Sequence, residues 1–419
     1  MALRSAAASA AVSRIAGRRR HRLGAFSLGS GLTPILASMR RLLALVSAII
    51  FVDALLFTAL TPLVPGYAEE FDLSKAGAGL LVGAYGAGAL FGGIPGGLAA
   101  ARFGPKRAVV GGLLLLSVAC FAFAAADSAL GLSMARFVQG LSSTATWAGA
   151  LAWISVVAPR ARRGEVIGTA FGAAVFGAVL GPVFGGMAEL VGIRASFVTV
   201  GLVVLAFAAL ATLARSAAVE TATLTGLRRA LRDERFLGGL WLNMLPAMLF
   251  GLLIVLTPLA LDDAGWTTFA IAAVFFAAGL VEVFLNPFLG RFSDRVGRLL
   301  PIRFALTASV AVAVALAAAS GPVLIALLVC AAAVSFGSLY TPSMALTSHR
   351  AEAVGLAQGL AFGVMNTAWA FGEVVGPSAG GALANSYGDA APYLVGAGLC
   401  ALTLVATYRV VGRSRPRAA

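Results

Sequence analysis

Charge is what this sequence has least of. Only 11% of its 419 residues are charged and 60% are hydrophobic, more apolar surface than a soluble fold can enclose. Lysine occurs twice, and neither Lys75 nor Lys106 sits in a Gly-Lys-Ser/Thr phosphate loop, which excludes direct coupling to ATP. The three cysteines, Cys120, Cys330 and Cys400, stand alone in apolar stretches, so no disulfide framework or zinc site is suggested. His21 and His349 have no ligand-like neighbours at metal spacing, and no cofactor is expected. Gly376-Pro377-Ser378-Ala379-Gly380 fits a nucleophile elbow in letters only, because it lies inside an apolar helix with no strand before it. Nothing else points to an enzyme.

What the chain has is apolar runs of about 20 residues, each long enough to cross a bilayer. Twelve are read, at 42–65, 77–100, 107–126, 130–157, 165–188, 195–214, 237–260, 267–290, 301–319, 322–345, 354–384 and 390–411. Placing both termini in the cytoplasm leaves only Lys75 and Arg194 outside and Arg136 in the membrane; every other basic residue falls inside, as the positive-inside rule requires. The net charge of +14 thus reads as topology in a cell membrane. No basic loop carries the clustered aromatics of a nucleic-acid binder. Residues 1–40, with no acid before Asp53, form a basic extension expected to be disordered, with a transit-peptide-like composition as the alternative. A cytoplasmic linker is expected over 215–236, between bundles at 41–214 and 237–411, and a short tail over 412–419.

The two bundles repeat each other. Segment 5 places glycines at Gly168, Gly172, Gly177, Gly181, Gly185 and Gly186, with Pro182 after Gly181. Segment 11 places them at Gly363, Gly372, Gly376, Gly380 and Gly381, with Pro377 after Gly376, so a shift of 195 residues carries Gly181-Pro182 onto Gly376-Pro377. Leu-Thr-Pro-Leu recurs at Leu60 to Leu63 and Leu256 to Leu259, and a glycine- and arginine-bearing loop recurs at Gly97, Arg102, Gly104 and at Gly290, Arg295, Gly297. Three motifs in register mean a duplicated six-helix unit in parallel orientation: an all-α membrane protein of twelve helices. Glycine at every fourth position strips one helix face of side chains, and each proline bends its helix. Such helices suit the surface on which two bundles rock.

These motifs resemble the major facilitator superfamily, from about residue 41 to 411. The Gly168 to Gly186 pattern is similar to the fifth-helix signature of its drug:proton antiporter branch, which includes multidrug exporters and vesicular amine carriers. The loop signature is kept in the second copy as Gly290, Asp294, Arg295, Gly297 and Arg298. In the first copy Ala101 and Pro105 stand where Asp and Arg belong, which puts the charged latch of that loop in doubt. Arg136, in Arg-Phe-Val-Gln-Gly, resembles the fourth-helix arginine that this branch ties to proton coupling. The resemblance implies a monomeric secondary transporter working by alternating access, with no cofactor beyond the proton gradient.

The remaining chemistry lies in charges that lipid disfavours. Asp53, Arg136, Glu282 and Glu373 each cost about 2.5–3.5 kcal/mol in a membrane helix, and such groups normally face a cavity. The repeat equivalents of the three acids are Leu249, Ala89 and Ala178, so the scaffold does not demand them. A carboxylate that binds either a proton or a cationic substrate, Asp53 first, gives exchange of one for the other. Phe57, Tyr85, Trp147, Tyr340 and Trp369 offer aromatic surfaces for a cation, as does Trp153. Asn243, Asn286 and Asn366, with Gln358, offer polar groups that a neutral metabolite such as a sugar would use equally well. The expected partners are small molecules, protons and lipid. Uptake by proton symport and a transport-inactive receptor are the alternatives.

Overall fold

The computed structural model describes residues 29–157, 163–216, 226–297, 299–356 and 358–413, and the described residues are helical with no strand among them. The chain divides into two compact units, residues 1–44 and 45–419. In the first, the described residues belong to helix α1 (Gly29–Ala59), which begins inside the basic extension expected to lack structure. The second unit begins within that helix, at Leu45, and contains everything that follows.

After Ala59 the chain tightens into a 3₁₀ turn (Thr61–Leu63) and resumes as α2 (Val64–Glu70). Pro62 and Pro65 each remove a backbone donor there, which is why the first span breaks. The repeat copy of this motif carries only Pro258, and α9 (Glu234–Asp263) runs through it unbroken. Between them come α3 (Lys75–Phe103), α4 (Pro105–Ala125), α5 (Ala129–Val157), α6 (Arg163–Val191), α7 (Ile193–Leu213) and a one-turn linker helix α8 (Leu227–Ala230). After α9 follow α10 (Thr268–Val296), α11 (Leu299–Ala317), α12 (Pro322–Gly337), α13 (Tyr340–Ala353), α14 (Gln358–Tyr387) and α15 (Ala390–Arg413). The linker expected over 215–236 thus contains α8 and the start of α9. With α1 and α2 as one rod and α12 and α13 as another, twelve rods result. Ten of them are long and apolar enough to span a membrane. The other two, α5 and α14, carry more polar residues and glycines, among them Arg136, Gln139 and Glu373.

Packing repeats as the sequence does. α4 lies on α7 as α11 lies on α15, and α3 meets α14 as α10 meets α6. Gly104 (φ 89°) ends α3 and Gly297 (φ 85°) ends α10 in the same left-handed turn, with Arg102 and Arg295 in the last turns before them. Lys106 then donates to the carbonyls of Thr212 and Ala214 at the end of α7, at 2.6 and 2.7 Å. Arg303 likewise donates to the Thr407 carbonyl near the end of α15, at 2.8 Å. Lys106 thereby sits on a helix C-terminus, where unpaired carbonyls favour a cation.

The glycine faces of segments 5 and 11 do not lie where they were expected. Gly177, Gly181 and Gly185 press on the α1 backbone at Phe51, Leu55 and Ala59, within their own half. Gly372 and Gly376 press on α9 at Met244 and Met248, with Gly380 against Leu252. Only Gly186, against Ala272, and Gly381, against Lys75 and Gly79, reach across the halves. The seam uses a different glycine row, on α3: Gly79 faces Pro377, Gly83 faces Ser378 and Gly86 faces Glu373.

That seam is closed at one end. There Lys75 pairs with Asp389 at 2.5 Å, and Thr268 donates to Glu189 at 2.9 Å. Toward the other end, Gly97, Gly168, Gly172 and Gly363 face open space. The side chains of Asn286, Gln358 and Asp294, the position of Gly290 and the whole of Arg298 lie outside the described residues.

Candidate proton and substrate site

The polar residues of α5 lie on one side of the helix. Arg136, Gln139, Ser143 and Trp147 recur at intervals of three and four, so they stack along one face. That face meets α1 at Asp53. The carboxylate is 1% exposed, and its Oδ2 accepts from Ser143 Oγ at 2.6 Å and from Trp147 Nε1 at 2.8 Å. Tyr85 of α3 donates in turn to Ser143 Oγ at 3.0 Å. Asp53 Oδ1 is buried with no hydrogen-bond partner.

Arg136 does not pair with Asp53; among the described residues no ion pair joins it to any carboxylate. Its Nη1 donates to Gln139 Oε1 at 2.8 Å and to the Leu56 carbonyl at 3.3 Å, and its Nη2 to the Phe57 carbonyl at 3.3 Å. Those carbonyls belong to the last turn of α1, where the helix has run out of its own donors. The guanidinium also lies 5.0 Å from the centre of the Tyr85 ring. Its Nε and the Gln139 Nε2 are buried without partners.

Tyr85 therefore joins the acid to the base, and it also faces the second half. Its ring packs 4.7 Å from Phe57, which is 5.6 Å from Trp369 of α14. One turn past Trp369 lies Glu373, buried against Gly86. Glu282 of α10 is half-buried and occupies the room that Gly337 leaves where α12 ends. Tyr340 begins α13 beside that break, stacked on Phe250 at 6.2 Å, in the fields of both Glu373 and Glu282. Asp53 and Glu373 thus flank Tyr85.

Other expected residues are placed elsewhere. Trp153 is fully buried and donates to the Arg215 carbonyl at 3.1 Å, so it anchors the linker and offers no surface to a substrate. Asn243 is spent on the packing of α9 against α14, donating to the Met365 carbonyl at 2.8 Å. Asn366 is exposed. The residues that the charge-based reading passed over are Gln139 and Ser143, and their signal was present: a polar run, Gln139 to Trp147, in helical register with Arg136.

The segment-5 glycine face, Asp53, Arg136 and Glu282 all lie within one recognisable stretch. The Major Facilitator Superfamily model matches residues 46–361. The chain belongs to the major facilitator superfamily. As a superfamily transporter it is similar to Multidrug resistance protein 2 of Bacillus subtilis, 25% identical over 80% of this chain and 86% of that protein. The Quinolone resistance protein NorA of Staphylococcus aureus is 26% identical over 82% of this chain and 90% of its own. An MFS-type transporter, ppzB, of Metarhizium rileyi is 31% identical over 154 residues, and the chain spans 32% of its length. Among solved structures, the nucleoside transporter NupG superposes with a TM-score of 0.71 at 14% identity, covering 88% of this chain and 99% of that one. A D-xylose–proton symporter gives 0.69 at 15%, covering 89% and 97%. At such identity these structures speak for the fold alone.

Proposed function

We propose that this transporter is a proton-coupled exporter of small amphipathic or cationic molecules, with Asp53 as the principal proton-carrying group. One observation carries the reading: a buried carboxylate held by two neutral donors on one oxygen, unpartnered on the other, with no cation paired to it. A carboxylate placed for structure alone is normally matched by a cation or fully hydrogen-bonded. One with a spare oxygen can gain and lose a proton without dismantling its surroundings. Three acids, Asp53, Glu282 and Glu373, against Arg136 favour cationic cargo, and Trp369, Tyr340 and Phe250 supply faces for it. The names of the Bacillus and Staphylococcus relatives support export of drugs.

With both termini in the cytoplasm, the end that carries Lys75 and Asp389 is the outer one, and it is this outer end that the pair holds together. Alternating access then consists of parting the α3–α14 and α6–α10 seams at that end while the opposite end closes. One chain supplies both halves, so the working unit is a monomer.

The test is dye or drug flux in inverted vesicles under an imposed pH gradient. Asp53→Asn should lose gradient-driven transport by at least about tenfold while remaining folded, and Glu373→Gln should also lose it. Undiminished proton-driven efflux from Asp53→Asn would sink the assignment. Accumulation with the proton flow instead of against it would make the protein a symporter.

A further inference from the structure

We infer that Asp53 is a proton-only site, loaded at Oδ1, and that cationic cargo binds elsewhere and never touches it. This rests on the proton-coupled reading above and divides its labour between two places. It starts from the direction of one hydrogen-bond chain. A serine hydroxyl has a single hydrogen. Tyr85 donates to Ser143 Oγ, and Ser143 donates to Asp53 Oδ2, so the Tyr85 phenol fixes where the Ser143 hydrogen points. Trp147 Nε1 can only donate, and it too is aimed at Oδ2. A proton arriving at Oδ2 would meet two donors head-on. Oδ1 has none and is the atom left to receive it.

Size then separates proton from cargo. Asp53 is sealed, as are Tyr85 and Ser143 beside it. An organic cation needs a concavity of about 300 Å³ or more, whereas a proton needs one hydrogen-bond hop. The titratable groups around the Asp53 chain are Tyr85 from α3, bonded to Ser143, Arg136 from α5, lying over the Tyr85 ring, and Glu373 from α14, packed on Gly86; Cys120 from α4 is buried nearby. Arg136 is tied to the carbonyls of α1 and to Gln139, so it does not compete for Oδ1. Tyr85 alone among these residues touches both sides: its hydroxyl serves the Asp53 chain, and its ring packs on Phe57, which leads to Trp369. Tyr85 is therefore a positioning residue through which the state of Asp53 is felt at the cargo site.

Linkage makes the claim measurable. A cation and a proton competing for one oxygen give an affinity that weakens about tenfold per pH unit on the acid side, without limit. Two separate sites coupled through Tyr85 give a finite change, with a plateau at either end. The experiment is binding of tetraphenylphosphonium to purified protein across pH, for wild type, Asp53→Asn, Tyr85→Phe and Ser143→Ala. Wild type should reach an acid plateau, and Asp53→Asn should sit on that plateau at every pH. Tyr85→Phe and Ser143→Ala should move the midpoint by about one pH unit toward alkaline, since each weakens the donor support of the ionised carboxylate, and should narrow the gap between the plateaus, since each breaks the link through Tyr85.

A wild-type curve that falls without a plateau, or no binding by Asp53→Asn at any pH, would overturn the separation. Midpoints in Tyr85→Phe and Ser143→Ala identical to wild type would overturn the role of the donor chain. Neither result touches proton-coupled export, which fails only if Asp53→Asn keeps its gradient-driven efflux. If Asp53→Asn does not fold, the wild-type plateau and the Tyr85→Phe midpoint decide the matter.

Discussion

Asp233 shows how a single residue's two partners can be told apart. It is the N-cap of α9, accepting from the Phe236 N–H at 2.8 Å, and it pairs with Arg350 of α13 at 2.5 Å. The Arg350 guanidinium holds the carboxyl below its ordinary range. Because the folded-state value is depressed, this stabilisation is present above the unfolded value of about 3.9 and is lost as pH falls through the folded one. Arg350→Ala removes a partly exposed pair worth about 1 kcal/mol or less, whereas Asp233→Ala removes the pair and the cap, about 1–2 kcal/mol. Thermal unfolding in detergent should rank Asp233→Ala below Arg350→Ala, with the gap to wild type shrinking in acid for Arg350→Ala. Residues of this kind are invisible in sequence, because nothing in Asp233 or Arg350 announces a partner more than a hundred positions away. Asp53 and Arg136 were legible for the opposite reason: charge in an apolar run is expensive, so its presence alone is information. Which partner each would take was not legible. Arg136 caps α1 because that helix breaks at its prolines, a consequence of packing and not of charge.

At the scale of the element, glycine spacing predicted close approach correctly and its partner incorrectly. The pattern at Gly177, Gly181 and Gly185 requires a neighbouring backbone but cannot say which helix supplies it. The row on α3, with Gly79, Gly83 and Gly86, carries the contact between halves and was present in the sequence without being singled out. The two rows should respond differently to an added methyl group. At Gly181 the Cβ would meet the Leu55 carbonyl at 2.5 Å inside one half. Gly181→Ala should therefore destabilise the fold by about 1–3 kcal/mol, read by thermal unfolding. At Gly83 the Cβ would fall 2.6 Å from Ser378 Oγ across the seam. Gly83→Leu should leave the halves folded and shift the equilibrium toward parting of the Lys75–Asp389 end, read as faster thiol labelling of a cysteine placed at Ser378. Equal destabilisation by both substitutions would contradict this division.

For the whole molecule, twelve spans and an internal duplication follow from hydropathy and repeat offsets, because a bilayer leaves few ways to satisfy a backbone. The break in the first span was signalled by Pro62 and Pro65, and that between α12 and α13 by Pro342, which has no N–H to give the Ser338 carbonyl. The closed end of the seam has no counterpart in sequence, since a transporter's sequence must encode both forms. What unites residue, element and molecule is the claim that a cation bound away from Asp53 disfavours the proton on Asp53 by a finite amount. The most direct measurement is proton release in weakly buffered solution when tetraphenylphosphonium is added to the purified transporter. Wild type should release protons in proportion to bound cation near the midpoint of its pH curve, and Asp53→Asn, binding the same ligand, should release none; equal release from the two proteins would contradict the account.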